Sequence, residues 1–329
     1  MRKYVFAALI SLGVSLVFGY FCVKALKKLK FSQTISGYVT EHKDKNGTPT
    51  VGGVIFVIPS IVVYALFSRG SGANAFAAAA IFFAYAAVGF LDDFIKIKFK
   101  RNEGLTPLQK IAFQTVVAVI ASVFAYRMGL CEQFFPFTEN KFDLGILFIP
   151  FSVVVFLAAS NCVNLTDGLD GLAATNSALY LFFTAALVVC QKSLLPSDAL
   201  AESEYDNMAL LCVTTAFSLA GFLAFNTKKA SVFMGDTGSL ALGGLIASIS
   251  IFSGNVLYIP IIGITFVASG LSVIIQVAHY KRTKKRVFLM APLHHHFQHK
   301  GHAESKIVYC YKLVTLAAGL ASLIRYIGG

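Results

Sequence analysis

Tryptophan is absent from the 329 residues, and charged side chains make up only 13% of them. Soluble domains carry about 25% charged residues, so this scarcity excludes an ordinary water-soluble enzyme. The 57% hydrophobic share likewise excludes a disordered chain. Without tryptophan, an interfacial aromatic belt falls to the 13 Tyr and 31 Phe. The 6 cysteines (Cys22, Cys131, Cys162, Cys190, Cys212 and Cys310) form no CxxC pair and show no metal-ligand spacing. Neither a disulfide framework nor a zinc site is expected, and they read as small apolar packing residues. Acidic residues are scarce too, with 16 Asp+Glu against 28 Lys+Arg and a net charge of +12.

What the sequence does have is long apolar runs. Ten can be read, at roughly 4–23, 51–68, 75–91, 108–128, 144–162, 171–190, 206–225, 237–254, 257–279 and 306–327. A bilayer-spanning helix takes about 20 mostly apolar residues, so ten use about 200 and leave short loops. In lipid an isolated segment must satisfy its own backbone hydrogen bonds, so each run reads as a helix. The expectation is an all-α polytopic integral membrane protein of about ten transmembrane helices, one domain over 1–329. Met1-Arg2-Lys3 and the run to Val23 resemble a signal peptide. That run is long, lacks a small-x-small cleavage site and meets Lys24, Lys27, Lys28 and Lys30, so a retained first span is expected.

Threading these runs places loops 24–50, 92–107, 163–170, 226–236 and 280–305 on one face, and they hold most of the lysine and arginine. The positive-inside rule makes that face cytoplasmic and both termini extracytoplasmic. The basic excess therefore reads as topology and attraction for anionic groups, with no nucleic-acid partner. On the other face, segment 192–206, with Asp198, Glu202, Glu204 and Asp206, reads as a solvated acidic loop.

Every cluster with chemical character falls on the cytoplasmic loops. Asp92-Asp93 closes the third span, with Lys96, Lys98, Lys100 and Arg101 behind it. Adjacent carboxylates at a membrane boundary suit a divalent cation, a general base or both, although a helix end at the headgroups also explains them. Asn164-Leu165-Thr166-Asp167-Gly168-Leu169-Asp170-Gly171 packs an amide, a hydroxyl, two carboxylates and two glycines between spans. One helical turn would put both aspartates on one face, and Thr166 or Asp167 could cap the following helix. Asn226 and Phe233-Met234-Gly235-Asp236-Thr237-Gly238-Ser239 lead into the eighth span. An aspartate at a helix N-terminus can hold a metal, and the free amides there favour phosphate. Phe233 offers a stacking face to a base, or else packs in the core.

Ala291-Pro292-Leu293-His294-His295-His296-Phe297 is not a spaced zinc motif, but beside basic residues it can donate hydrogen bonds to phosphate. The loop from His42 to Gly53, with Lys43, Lys45, Thr48 and Thr50 around a Gly/Pro turn, is a plausible anion cradle. Carboxylates for Mg²⁺ and cations for phosphates on one face are what phosphoryl transfer requires, since catalysis there is positioning and charge neutralisation.

Asp92-Asp93, the run NLTDGLDG, Gly235 to Ser239 and the stretch APLHHHF together resemble the polyprenyl-phosphate N-acetylhexosamine-1-phosphate transferases. Within them, GTPTVGG at 47–53 and the histidine triplet resemble the phospho-N-acetylmuramoyl-pentapeptide transferases, with Val51 where that pattern has Met. The resemblance runs in order along nearly the whole chain and implies ten spans in a bacterial inner membrane.

The activity it implies joins UDP-N-acetylmuramoyl-pentapeptide to undecaprenyl phosphate, giving lipid I and UMP with Mg²⁺, in peptidoglycan biosynthesis. By resemblance Asp236 holds Mg²⁺, Asp92 deprotonates or orients the lipid phosphate and Asp93 supports the site. Lys45 and Lys110 neutralise phosphates, with Lys96 and Thr50 also on the substrate. Asn164, Asp167, Asp170, Asn226 and Phe233 line a uridine pocket, and His294, His295 and His296 contact phosphate or sugar. A homodimer is a further implication, and both direct attack and a phosphoryl-aspartate intermediate stay open.

Two competitors remain. A sister transferase using UDP-N-acetylglucosamine shares the aspartate motifs, and only the histidine triplet and the first cytoplasmic loop argue against it. A transporter would place charges near mid-bilayer, whereas here the spans are nearly uncharged in their middles.

Overall fold

The computed structural model describes residues 2–29, 31, 47–70, 72–99, 103–192, 199–227 and 229–327. The apolar runs become helices α1 (Arg2–Lys28), α2 (Val54–Phe67), α3 (Ala73–Lys98), α4 (Pro107–Arg127), α5 (Phe148–Thr166) and α6 (Leu172–Lys192). They continue as α7 (Ala199–Asn226), α8 (Gly235–Phe252), α9 (Ile259–Ile262), α10 (Ile264–Thr283), α11 (Leu293–His299), α12 (Glu304–Ser322) and α13 (Ile324–Ile327). Among the described residues nine helices are long and apolar enough to cross a membrane. The chain is an all-α, multi-pass membrane protein, as its composition requires.

Three local expectations need correction, and one feature is new. The second run yields only the 14 residues of α2, about 21 Å at 1.5 Å per residue, against a hydrocarbon core of about 30 Å. Its opening residues are diverted: the Gly52 and Gly53 amides donate to the Phe233 and Met234 carbonyls, both at 2.9 Å. The ninth run is broken at Gly263, between α9 with Pro260 in its first turn and α10.

The acidic segment is no solvated loop from 199 onward. Glu202 and Asp206, one turn apart on α7, hold Lys192 at 3.2 and 3.1 Å. Glu204 accepts the Ala73 and Asn74 amides at the start of α3, at 2.8 and 3.0 Å. Asp198 lies outside the described residues. Finally, β1 (Glu132–Phe134) and β2 (Lys141–Asp143) form a small antiparallel hairpin at the same end, pairing Gln133 with Phe142.

The bundle is organised around α8. Every residue from Thr237 to Phe252 is buried, against α3 and α5, where Tyr85 and Phe156 stack with ring centres 6.3 Å apart. α1 lies on α2 and α7, the Ser15 hydroxyl reaching the Ile55 and Ser218 carbonyls. A helix buried on all sides places its N-terminus at a fixed point, and that point carries Asp236.

Candidate active site

Asp92 and Asp93 sit in the last turns of α3 and are buried to 2% and 1% exposure. Asp93 Oδ1 accepts the Asp236 amide at 3.2 Å. Its Oδ2 accepts the Thr237 amide at 2.9 Å and the Thr237 hydroxyl at 2.7 Å. One helix thereby caps the N-terminus of another, satisfying donors that α8 cannot satisfy itself. The approach depends on Gly89, one turn before Asp93, where any Cβ would collide with the Asp236 carbonyl. It depends equally on Gly235, whose φ of +72° is left-handed and whose missing Cβ leaves room for Asp93 and Thr50.

The arrangement projects Asp236 into a cluster of opposite charges. Its Oδ2 contacts Lys96 Nζ at 2.9 Å and Lys110 Nζ at 2.8 Å. Its Oδ1 accepts from the Asn164 amide nitrogen at 2.6 Å, which also donates to the Ser239 hydroxyl at 2.8 Å. Lys96 Nζ lies 2.6 Å from Asp92 Oδ2, while Asp92 Oδ1 accepts the Leu105 amide at 2.9 Å and pins the chain entering α4. The carboxylates of Asp92, Asp93 and Asp236 lie within 4.8 Å of one another. Buried charges of this kind persist only when paired and hydrogen-bonded, as these are.

Two clefts meet at this cluster, sharing Lys96 and Asp236. One, of about 300 Å³, is lined by Thr50, Asn164, Asp167, Asp170, Asn226 and Phe233 among others. The second, of about 480 Å³, adds Asp92, Lys110 and Asn161 to the apolar Leu105, Pro107 and Ile111.

The loop between α5 and α6 forms one wall of the first cleft. Thr166 turns its hydroxyl back to the Cys162 carbonyl at 2.8 Å, and the Asp167 amide returns to the Asn164 carbonyl at 3.1 Å. Both therefore finish α5, and neither caps α6 as expected from the sequence. The loop is tied down from three sides. Asp170 N–H donates to Glu304 Oε1 of α12 at 2.8 Å, and Asp170 Oδ2 accepts the Ala230 amide at 3.2 Å. Gly171 N–H donates to Asn226 Oδ1 at 3.1 Å. Burial, reinforced by the charges of Asp236, Asp93 and Asp170, pushes the Asp167 carboxyl up to about 8.

The histidine tract forms α11. His294 is fully buried, and a Cβ on Gly168 would strike its Nε2 and lie 3.1 Å from His295 Nε2. His294 and His295 therefore stand at the rim of the first cleft. His296 turns away, its Nδ1 accepting the Leu289 amide at 3.1 Å.

Of the residues singled out in the sequence, Asp92, Asp93, Lys96, Lys110, Asn164, Asp167, Asp170, Asn226, Phe233, Asp236 and Thr50 converge on the two clefts. Lys45 lies outside the described residues. Glu304, Thr237 and Asn161 had been assigned no role. Thr237 stood inside a run already marked as chemical, whereas Glu304 carried no signal beyond its place at the start of a helix.

The donor set fits a hard divalent cation. Three carboxylates supply oxygen ligands, the kind Mg²⁺ takes, and the two ammonium groups on Asp236 Oδ2 show that this oxygen already attracts positive charge. Asp93 is the weakest donor, because α8 uses both of its oxygens.

The profile of glycosyl transferase family 4 matches residues 75–254, which include all but the first two residues of α3 and the whole of α5 and α8. The phospho-N-acetylmuramoyl-pentapeptide-transferase of Clostridium novyi (strain NT) is 39% identical over 335 residues, covering 100% of this chain and 99% of that protein. That of Caldanaerobacter subterraneus subsp. tengcongensis is 40% identical over 320 residues, with 97% of each chain covered. The transferase of the same name from Clostridioides difficile (strain 630) is 39% identical, over 97% of this chain and 96% of that one. With these matches the chain belongs to glycosyl transferase family 4 and, within it, to the phospho-N-acetylmuramoyl-pentapeptide transferases.

Proposed function

We propose that this chain, acting as one domain, transfers phospho-N-acetylmuramoyl-pentapeptide from its UDP-linked donor to undecaprenyl phosphate. The products are lipid I and UMP, within peptidoglycan biosynthesis. The observation that carries the reading is the meeting of two clefts at Lys96 and Asp236. A polar cleft with Phe233 and amide and carboxyl groups suits a uridine diphosphate sugar. A cleft that joins Lys110 to an apolar wall suits a phosphate on a lipid.

The acceptor phosphate oxygen attacks the β-phosphorus of the donor. One P–O bond forms, the bond to the UMP phosphate oxygen breaks, and UMP leaves with that electron pair. Asp92 orients the acceptor phosphate and takes its proton where it carries one. Lys96 and Lys110 neutralise the phosphates, and Asp93 holds α8 so that Asp236 stays in place. Asp236, with Asp92, would hold Mg²⁺, which when bound supplies charge neutralisation to the diphosphate. Both clefts reach the same pair of residues, the arrangement that direct attack of one substrate on the other requires.

The site end of the bundle carries Lys27, Lys28, Lys96, Lys98, Lys281 and Arg282 at helix ends. By the positive-inside rule this end faces the cytoplasm of a bacterial inner membrane, with both termini outside. The test is UMP release by purified protein given both substrates and Mg²⁺, with EDTA and with UDP-N-acetylglucosamine in parallel arms. Release from the muramoyl donor alone, abolished by EDTA, is the expected result. Release from the glucosamine donor instead would transfer the chain to the sister activity, and a burst of UMP without acceptor would favour the covalent route.

A further inference from the structure

The histidine tract is carried to the cleft by an arm that the transfer reaction leaves unused. α10 packs on the bundle through its first half, where Thr265, Phe266, Ser269, Gly270 and Ser272 are buried. Beyond Ser272 none of its residues is buried, and Ile274, Ile275, Val277 and Tyr280 are exposed. The helix ends with Lys281 and Arg282, Lys284, Lys285 and Arg286 follow it, all five are exposed, and no carboxylate occurs anywhere between Asp236 and Glu304.

Lys284 adopts a left-handed conformation, with φ of +56°, and the chain folds back along α10. Gln276 fixes the return: its Oε1 accepts the Val287 and Phe288 amides at 3.0 and 2.9 Å, and its Nε2 donates to the Phe288 carbonyl at 3.2 Å. The returning strap then engages α11. The Leu289 amide donates to His296 Nδ1, and the Phe288 and His296 rings meet edge to face at 5.7 Å. Two residues earlier, His294 rests on Gly168 in the wall of the nucleotide cleft. A continuous set of contacts thus runs from the basic tip to the site.

We propose that this arm binds the anionic headgroups of membrane phospholipids, and that this binding holds the histidine tract at the mouth of the cleft. The end of a membrane-crossing helix lies at headgroup depth, where clustered Lys and Arg are attracted to acidic lipid. Exposed Val287 and Leu289 beside the cations select a lipid over a soluble anion, which would leave them in water. The cations are separate from Lys96 and Lys110, which stand inside the active-site cluster around Asp236. The link to catalysis rests on the transferase reading; the lipid binding does not.

The absence of tryptophan supplies the test, because Leu289→Trp creates a single fluorophore on the strap. The protein is reconstituted in phosphatidylcholine vesicles containing phosphatidylglycerol, with bromine on the acyl chains of one lipid or the other. Brominated phosphatidylglycerol should quench several-fold more strongly than brominated phosphatidylcholine at equal mole fraction. That preference should vanish when Lys281, Lys284, Lys285 and Arg286 are all changed to Gln; one cation at an anionic surface contributes about fivefold. Val287→Trp provides a second probe should the first disturb the strap.

Equal quenching by the two lipids at both probe positions would overturn the binding. In the activity arm, removal of phosphatidylglycerol should raise the nucleotide KM of the parent several-fold and leave the quadruple variant unmoved. A lipid preference with an unmoved KM would overturn the coupling. Absence of UMP release from the parent in every vesicle would instead count against the transferase reading, with the fluorescence result still deciding the binding.

Discussion

Asp93 and Thr237 meet across the contact between α3 and α8, the hydroxyl and backbone amide of one donating to a single carboxylate oxygen of the other at 2.7 and 2.9 Å. The contact joins the Asp92-Asp93 pair to the Gly235–Ser239 motif and fixes the residue beside it, Asp236. Replacing Asp93 with Ala leaves two buried donors of α8 unsatisfied, each costing about 1–3 kcal/mol. The variant should unfold at lower temperature in detergent, and its activity should fall with it. An unchanged melting temperature would remove the capping role.

Asp236→Asn should behave differently. The side chain keeps its shape and its bond to Asn164, but the charge that gathers Lys96 and Lys110 is gone. Turnover should drop by about 10²–10³, the size of a lost preorganised electrostatic contact, out of proportion to the stability lost with the Lys110 ion pair. UMP release near the parent rate would reject Asp236 as a metal and phosphate anchor.

Gly89→Ala tests the close approach itself. The added methyl meets the Asp236 carbonyl, and overpacking of this kind costs about 1–3 kcal/mol. Gly13→Ala is the matched control on α1, where a Cβ meets nothing within 4 Å. Thermal unfolding should separate the two, and equal melting temperatures would mean that α3 moves aside freely.

The Asp167 carboxyl, pushed up to about 8, gives a pH dependence with a definite sign. Its folded value lies above its unfolded one, so the folded state holds the proton longer. The associated stability is complete below about pH 4 and is lost as pH rises to about 8. Measured without Mg²⁺, the parent should lose stability across that interval, whereas Asp167→Asn should show a flatter profile. A neutral carboxyl also donates a hydrogen bond, so nucleotide binding should weaken above pH 8 in the parent alone.

Glu304→Gln addresses a residue far along the chain from the other site motifs. Its carboxylate accepts the Asp170 amide, and a weakened charged hydrogen bond of about 1 kcal/mol corresponds to about fivefold. The nucleotide KM should rise by that order while the acceptor KM stays put. A change in both would point to a general structural defect instead.

Much of the site was legible because its residues defy their surroundings. Carboxylates and amides at the ends of apolar runs have few reasons to exist other than chemistry, and Asp92, Asp93, Asn164, Asp167, Asp170 and Asp236 all converged. Glu304 was not legible, since its role depends on α12 lying against the α5–α6 loop. The acidic stretch from Glu202 to Asp206 was misjudged for a related reason. Composition marks it as polar, but only the position of Lys192 and of the α3 start makes it a clamp.

The sequence by itself determined that the chain crosses a membrane many times, because burying this much apolar surface leaves no other solvent for it. It also determined which loops hold the chemistry, since the charges cluster on alternate loops. Only the tertiary structure decided which carboxylate caps a helix and which faces the lysines. That division depends on the depth to which α8 sits between α3 and α5, a matter of packing through glycine that no local pattern encodes.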